Sequence, residues 1–410
     1  MRILKHPLWC ALCCAVAGVA AQDIPVRHLS ARIAADSDYF GFLLGVRPLP
    51  NGSVLVNDAG RGRLVMIDST LRTATVIADN SGTRPPYGAT AGLLFSYLGD
   101  SSAFYDQQSR AFLVIDGVGR IVRVMAAPKA EDMFQVVARA LSPNGFDPQG
   151  RFIYRTTRRA VHALPSGDRR TAGTTPVAAR SDSAPVVRAD PNSQRVDTLG
   201  FVVLAAVKSF TQQLDNGTSR SYHALNPLPD SDEWSLLPDG TVAFVRTQDY
   251  HIDWVLPDGR LISTPKMPFA WRRVTEEDKL RLIDSTRKAA EQRIANAPLP
   301  PPPVPGSPPP LPLPPLELFE PKDMPDYYPP LRGNTVRADP DGNIWILPTT
   351  SIVGGRGLVF DVVNRKGEIF ERVELPTGRN LVAVGTGGIV YMSFVSDLGN
   401  PVLERARVIR

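Results

Sequence analysis

Short runs rich in Val, Ile, Leu, Phe and Tyr recur down the chain, separated by Asn-Gly, Asp-Gly and similar turn signals. That pattern predicts antiparallel strands joined by tight turns. The clearest unit spans residues 43–78: a strand over 43–49, the turn Pro50-Asn51-Gly52, then strands over 53–57, 63–68 and 73–78. Asn-Gly supplies the positive φ of a two-residue hairpin, so the chain folds back there. Four such strands make one propeller blade.

The same order is read at 103–106, 111–116, 120–125 and 134–138, and again at 145–147, 151–155, 186–190 and 195–201. A fourth unit covers 233–237, 241–246, 250–256 and 260–264, and a fifth covers 335–338, 343–347, 358–363 and 369–375. The last unit, 381–384, 389–393 and 402–409, runs out of chain after its third strand, and residues 26–34 supply the missing one. The expected fold is therefore all-β: a six-bladed β-propeller over 22–410, closed by N- and C-terminal strands, which leaves no open sheet edge in the ring.

The stretch from Val54 to Asp68 places Asn57-Asp58 before Gly60 and then runs Arg63-Leu64-Val65-Met66-Ile67-Asp68. It resembles an NHL-type propeller repeat, and Asp339-Pro340-Asp341-Gly342-Asn343-Ile344-Trp345-Ile346 is similar. The resemblance implies a six-bladed propeller of the NHL or TolB-like type. It implies little about function, because such folds carry binding scaffolds as well as hydrolases. The ligands of the calcium-dependent lactonases on related propellers cannot be matched here residue by residue.

The long interruptions, 79–102, 156–185, 202–232 and 265–334, fall at blade-to-blade links or between second and third strands, which open on one face of the disc. That face is the expected working face. The largest interruption, 265–333, sits between blades four and five; Thr275 with Asp278 predicts a helix over 275–297 with Leu280, Ile283, Ala290 and Ile294 on one stripe. Residues 298–315 contain twelve prolines, which favour an extended path, either a stiff strap or a docking segment. Replacing 298–315 with a short flexible linker is expected to leave the melting transition nearly intact, checked by calorimetry, because an extended proline stretch adds little core.

Composition narrows the setting. Residues 1–21 carry Arg2, Lys5 and His6 ahead of an apolar run ending at Val19-Ala20-Ala21, the pattern of a cleaved secretory signal peptide rather than of a membrane span of about 20 apolar residues. Neither Cys13 nor Cys14 has the spacing of a lipoprotein signal, and Cys10, Cys13 and Cys14 are the only cysteines, so a processed chain has no thiol. Of 46 Lys and Arg against 41 Asp and Glu, Arg2 and Lys5 leave with the leader, so 44 against 41 remain. That balance does not point to nucleic acid. No later stretch is apolar enough to span a bilayer, so the expected location is periplasmic or secreted, in a bacterial cell envelope.

Candidate chemistry concentrates at Arg246, Asp249, Tyr250, His251 and Asp253, where an imidazole flanked by carboxylates has the makings of a divalent-ion site or a general base. Trp271, Arg272, Tyr327 and Tyr328 flank the helix and proline segment and either line a ligand groove or clamp a loop. No nucleophile elbow, phosphate loop or His-Glu-x-x-His pair occurs. The leading expectation is a binding or sensing scaffold for a peptide, glycan or partner protein, with no cofactor; the rival is a lactone- or ester-directed hydrolase with a divalent cation such as calcium at the central channel.

Overall fold

In the computed structural model, the described residues are 24–35, 39–88, 92–127, 133, 136, 144–156, 183–214, 219–296, 313–353 and 357–410. Residues 1–21, expected from the sequence to be a signal peptide, and most of the proline-rich stretch lie outside them. Six four-strand units follow one another around a ring, each a meander with its first strand innermost. Blade one is Leu43–Pro48, Val54–Asp58, Arg63–Ile67 and Ala74–Ala78.

The ring closes through its core. Six apolar clusters each join one pair of neighbouring blades, and the pair formed by blades six and one is included. At that junction Val54, Val56 and Val65 of blade one pack with Tyr391 and Leu403 of blade six. Between blades two and three the rings of Phe95, Phe112, Phe146 and Phe152 interlock, with Phe112 and Phe146 centroids 5.1 Å apart. Alternation along each strand places one set of side chains toward each neighbouring blade, so every blade is buried on two faces.

The tight hairpin turns within the blades use a shared device. Asp147 at one such turn accepts the amide N–H groups of Gln149 and Arg151 on Oδ1, and Asp116 does the same for Val118 and Arg120. The bond from the Arg120 amide heads the causes that hold the Asp116 carboxyl below its usual range. Gly150 and Gly240 complete turns of this kind at φ 75° and 86°, a region open to glycine.

Three details depart from the sequence expectation. Blade two begins one strand earlier: its innermost strand is Leu93–Ser96, followed by Ser102–Asp106, Ala111–Ile115 and Ile121–Ala126. The turn between the first two, 97–101, has Gly99 at φ 57° with Leu98 rather than Asn or Asp before it, so no turn signal marked the strand. The strand expected at 134–138 falls mostly outside the described residues; Val136, which is described, is helical rather than extended and is buried in the core beside Phe112, and Ile121–Ala126 is already the outermost strand of the blade.

The N-terminal strand also divides. Ile33–Ala34 pairs antiparallel with Pro401–Arg407 as the outermost strand of blade six, as expected. Val26–Arg27 instead pairs parallel with Ile369–Glu374 and adds a fifth strand to blade five. Finally, the link between blades three and four contains a hairpin, Ser209–Gln213 with Ser219–His223, that the polar sequence did not signal.

Meander topology puts all blade-to-blade links and second-to-third-strand loops at the same end. The helix occupies Glu276–Ala295 in the link between blades four and five, capped by Thr275 and Asp278 in a reciprocal box. Its buried positions are Asp278, Lys279 and Ala290, while Leu280 and Ile294 of the expected apolar stripe are exposed. The link segments form their own small core of Ala224, Leu228, Val274, Phe319, Met324 and Tyr328, with Leu282 and Ile283 of the helix against it.

Candidate functional site

The residues expected to carry chemistry separate into two places. The first is on blade four, where the second strand, Val242–Arg246, turns through 247–250 into the third, His251–Val255. The turn requires Tyr250 at φ 52°. The Tyr250 ring is fully buried, its hydroxyl has no hydrogen-bond partner among the described residues, and burial pushes its pKa well above the ordinary value.

Pairing sets Arg246 directly opposite His251, and strand alternation puts Asp253 on the same face. Arg246 donates from Nε to Asp253 Oδ2 at 2.8 Å and from Nη1 to Asp232 Oδ2 at 2.9 Å and the Phe201 carbonyl at 2.7 Å. His251 faces Asp249 Oδ1 with Nδ1 at 2.5 Å and Asp253 Oδ1 with Nε2 at 3.2 Å. Burial alone would raise the Asp253 carboxyl; the bonds from Ser263 and Arg246 outweigh it and hold it below its usual range.

This web is a charge-matched brace. Arg246 is committed to two carboxylates, and Asp232 also accepts the Thr247 and Val203 amides, so the loop entering blade four is tied to the outer strand of blade three. The web spans the second and third strands of blade four and the loop that enters its first. Among the described residues no group of three or more His, Cys, Asp or Glu side chains is placed to hold a metal ion.

Arg246 also floors a cleft of about 610 Å³ between blades three and four, walled by Leu199, Phe201, Val203, Val255 and Leu261. Gly200 is needed there: a Cβ on it would stand 2.8 Å from the Phe244 ring. Sequence reading missed this cleft, although its signal was present in Phe201, Val203 and Leu261, apolar residues left exposed on outermost strands.

The second place is the aromatic pair of segments flanking the helix. Residues 271–274 and 326–328 pair as a short ribbon: Tyr328 donates its amide to the Arg272 carbonyl at 3.0 Å, Val274 donates to Asp326, and Arg273 lies opposite Tyr327. Opposed residues share a face, so Arg272 and Tyr328 turn inward. The Arg272 guanidinium stacks 4.8 Å over the Tyr328 ring and bonds Asp278 of the helix, and Tyr328 is buried. Trp271, Arg273 and Tyr327 fall on the other face and are exposed, Trp271 at 47 % and Tyr327 at 51 %. A ladder of edge-on rings, Tyr250 to Phe269 at 5.7 Å and Phe269 to Trp271 at 5.1 Å, anchors the exposed indole in the body of blade four.

Of the expected site residues, then, Tyr328 and Arg272 clamp the insertion, Arg246, Asp249 and His251 brace blade four, Tyr250 is core, and Trp271 and Tyr327 face solvent. Arg273 joins the last two, a residue that composition alone did not distinguish from its neighbour Arg272.

No family model matches the chain. No curated protein matches it either. Among solved structures, it is similar to a gluconolactonase from Xanthomonas campestris at 11 % identity and a TM-score of 0.39, covering 93 % of this chain and 98 % of that one. Regucalcin, a calcium-binding protein from Agrobacterium tumefaciens, gives 13 % identity and 0.38, covering 93 % and 96 %. Virginiamycin B lyase from Staphylococcus aureus gives 10 % and 0.35, covering 92 % and 99 %. These likenesses are distant, and the six-bladed architecture rests on the sheets and their interfaces.

Proposed function

We propose that this chain is an exported binding propeller, of the NHL or TolB-like kind, which captures an extended glycan or peptide, free or on a partner protein, on its long-loop face. The observation that carries the reading is the exposed platform of Trp271, Arg273 and Tyr327. Two large aromatic side chains at solvent offer broad, rigid contact area at low entropy cost, and an arginine between them supplies hydrogen-bond donors. The platform is also stiff, because the ribbon's other face is stapled to the helix through Arg272, Tyr328 and Asp278. The leader-like residues 1–21 support a periplasmic or secreted location, and among the described residues no helix is long and apolar enough to cross a membrane.

The test is titration followed by tryptophan fluorescence, with envelope oligosaccharides in one arm and extended peptides in the other. Trp271→Ala and Tyr327→Ala are each expected to weaken capture at least about 10-fold, as buried aromatic contacts do at interface hot spots, without moving the melting temperature. Tyr328→Ala, by contrast, is expected to cost about 3 kcal/mol of stability, as for other buried aromatics. Unchanged binding in both exposed-residue variants overturns the platform. A calcium-dependent rise in melting temperature abolished by Asp249→Ala would instead favour the metal-dependent hydrolase reading.

A further inference from the structure

The aromatic platform carries a cation with no partner among the described residues. Arg273 lies directly opposite Tyr327 in the ribbon, and strand alternation puts Trp271 on the same face, diagonal to Tyr327 at roughly 7–8 Å. All three side chains are exposed. No ion pair or side-chain hydrogen bond joins Arg273 to another described residue. Its neighbour Arg272 differs, being stacked over Tyr328 and bonded to Asp278 on the inner face.

The nearby acids are engaged elsewhere. Asp278 is shared by Arg272 and Arg281. Asp326 shares the inner face with Tyr328, and its carboxylate meets Lys279 Nζ at 3.3 Å. Glu276 and Glu277 belong to the first turn of the helix, whose positive end stabilises them, and Arg272 with Asp278 fastens that helix to the inner face of the ribbon. Among residues 271–274 and 326–328, Arg273 is therefore the one ionised side chain on the outer face.

A complementary ligand presents flat apolar faces to the two rings and an anion to the guanidinium between them. A sugar ring offers a face of C–H groups to an aromatic ring, and a uronic acid carries its carboxylate on the edge of that same ring. The two oxygens of that carboxylate match the forked donors of an arginine. The sugar ring also fixes where the carboxylate points, so pairing it costs little freedom, whereas Asp or Glu in a peptide must order a flexible stem and its backbone. Extended peptides draw affinity from main-chain hydrogen bonds along a strand edge, and the platform is a face.

We infer that the platform selects acidic oligosaccharides, with a ring carboxylate on Arg273 and sugar faces on Trp271 and Tyr327. The inference rests on the platform as the capture surface and adds the class of ligand that it takes.

The probes are tetragalacturonate, its fully methyl-esterified form, which keeps the skeleton without the charge, and tetraglutamate, each titrated by isothermal calorimetry into the full-length protein. Tetragalacturonate is expected to bind at least about 5-fold more tightly than its ester, the upper range for an exposed ion pair of bidentate geometry. Arg273→Gln is expected to bring the two within about 2-fold of each other without moving the melting temperature, because an exposed pair adds little to the fold. Arg273→Lys keeps the charge without the fork and is expected to retain part of the preference. Trp271→Ala is expected to weaken both oligosaccharides. Equal affinity for acid and ester in the wild type, or a preference that survives Arg273→Gln, overturns the acidic class while a Trp271 effect on both still supports the platform. Undiminished binding of both oligosaccharides to Trp271→Ala overturns the platform itself. Failure of either oligosaccharide to bind, or tighter binding of tetraglutamate than of tetragalacturonate, overturns the glycan, and the latter result assigns the site to acidic peptides.

Discussion

Removal of residues 22–35 is expected to lower the melting temperature by about 10 °C or to abolish the cooperative transition, because this short segment holds two blades. Ile33 and Ala34 pair with Arg405 and Glu404, and the Ser30, Ala35 and Ile409 amides bond Arg407, Leu403 and His28 carbonyls at 2.8–2.9 Å. Upstream, the Arg372 amide bonds the Pro25 carbonyl at 2.9 Å, and Arg27 pairs with the buried carboxylate of Glu371. Each backbone bond contributes about 1 kcal/mol net, so the set amounts to about 5 kcal/mol, a large part of the 5–15 kcal/mol by which a domain is stable. Deletion also uncovers Leu403 and the free edge of blade six, inviting strand pairing between molecules. Scanning calorimetry and light scattering measure both effects. A truncated chain that melts unchanged and stays monomeric would show that the ring is held closed without its terminal strand.

Much of this architecture was legible in the sequence because turn chemistry is local. Asn51-Gly52, Asp239-Gly240, Asp258-Gly259 and Asp341-Gly342 each fix a hairpin with residues a few positions apart, and blades one, four and five follow from them. Blade two was misframed by one strand since its first turn lacks that dipeptide. The split of the N-terminal strand was illegible for a different reason: Val26–Arg27 joins blade five through a parallel pairing, and parallel partners share no hairpin.

The site was legible only as a composition. Sequence placed Trp271, Arg272, Tyr327 and Tyr328 near one another but could not say which pair faced solvent, since the answer depends on the register that sets Arg273 opposite Tyr327, 54 positions away by residue number. Likewise the contact between the first strands of blades four and five, where the Ala338 amide donates to Ser235 Oγ, joins residues 103 positions apart, and nothing within either strand announces it. The Arg246 guanidinium is turned inward, toward Asp232 upstream and Asp253 downstream.

Arg246→Met tests that inward role. Both carboxylates it serves are largely buried, Asp232 at 5 % and Asp253 at 13 % side-chain exposure, so the substitution strands two negative charges facing an apolar cleft. Breaking a fully buried pair costs about 3–5 kcal/mol, and because Arg246 keeps 23 % of its side-chain surface a deficit of about 2–3 kcal/mol at pH 7 is expected. The pH dependence follows from the lowered carboxyls of Asp253 and Asp249. A carboxyl whose folded pKa lies below its unfolded value of about 3.9 contributes stability that is present above that value and is lost as pH falls through the folded pKa. The variant has lost the cation that keeps Asp253 low, so its deficit should be greatest near neutrality and shrink below about pH 4, where protonation removes the stranded charge. Urea unfolding of both proteins at pH 7 and pH 3 measures this directly. A deficit of equal size at the two pH values would mean that Arg246 stabilises the blade by packing over Phe244, 5.0 Å from its guanidinium, rather than by pairing charge.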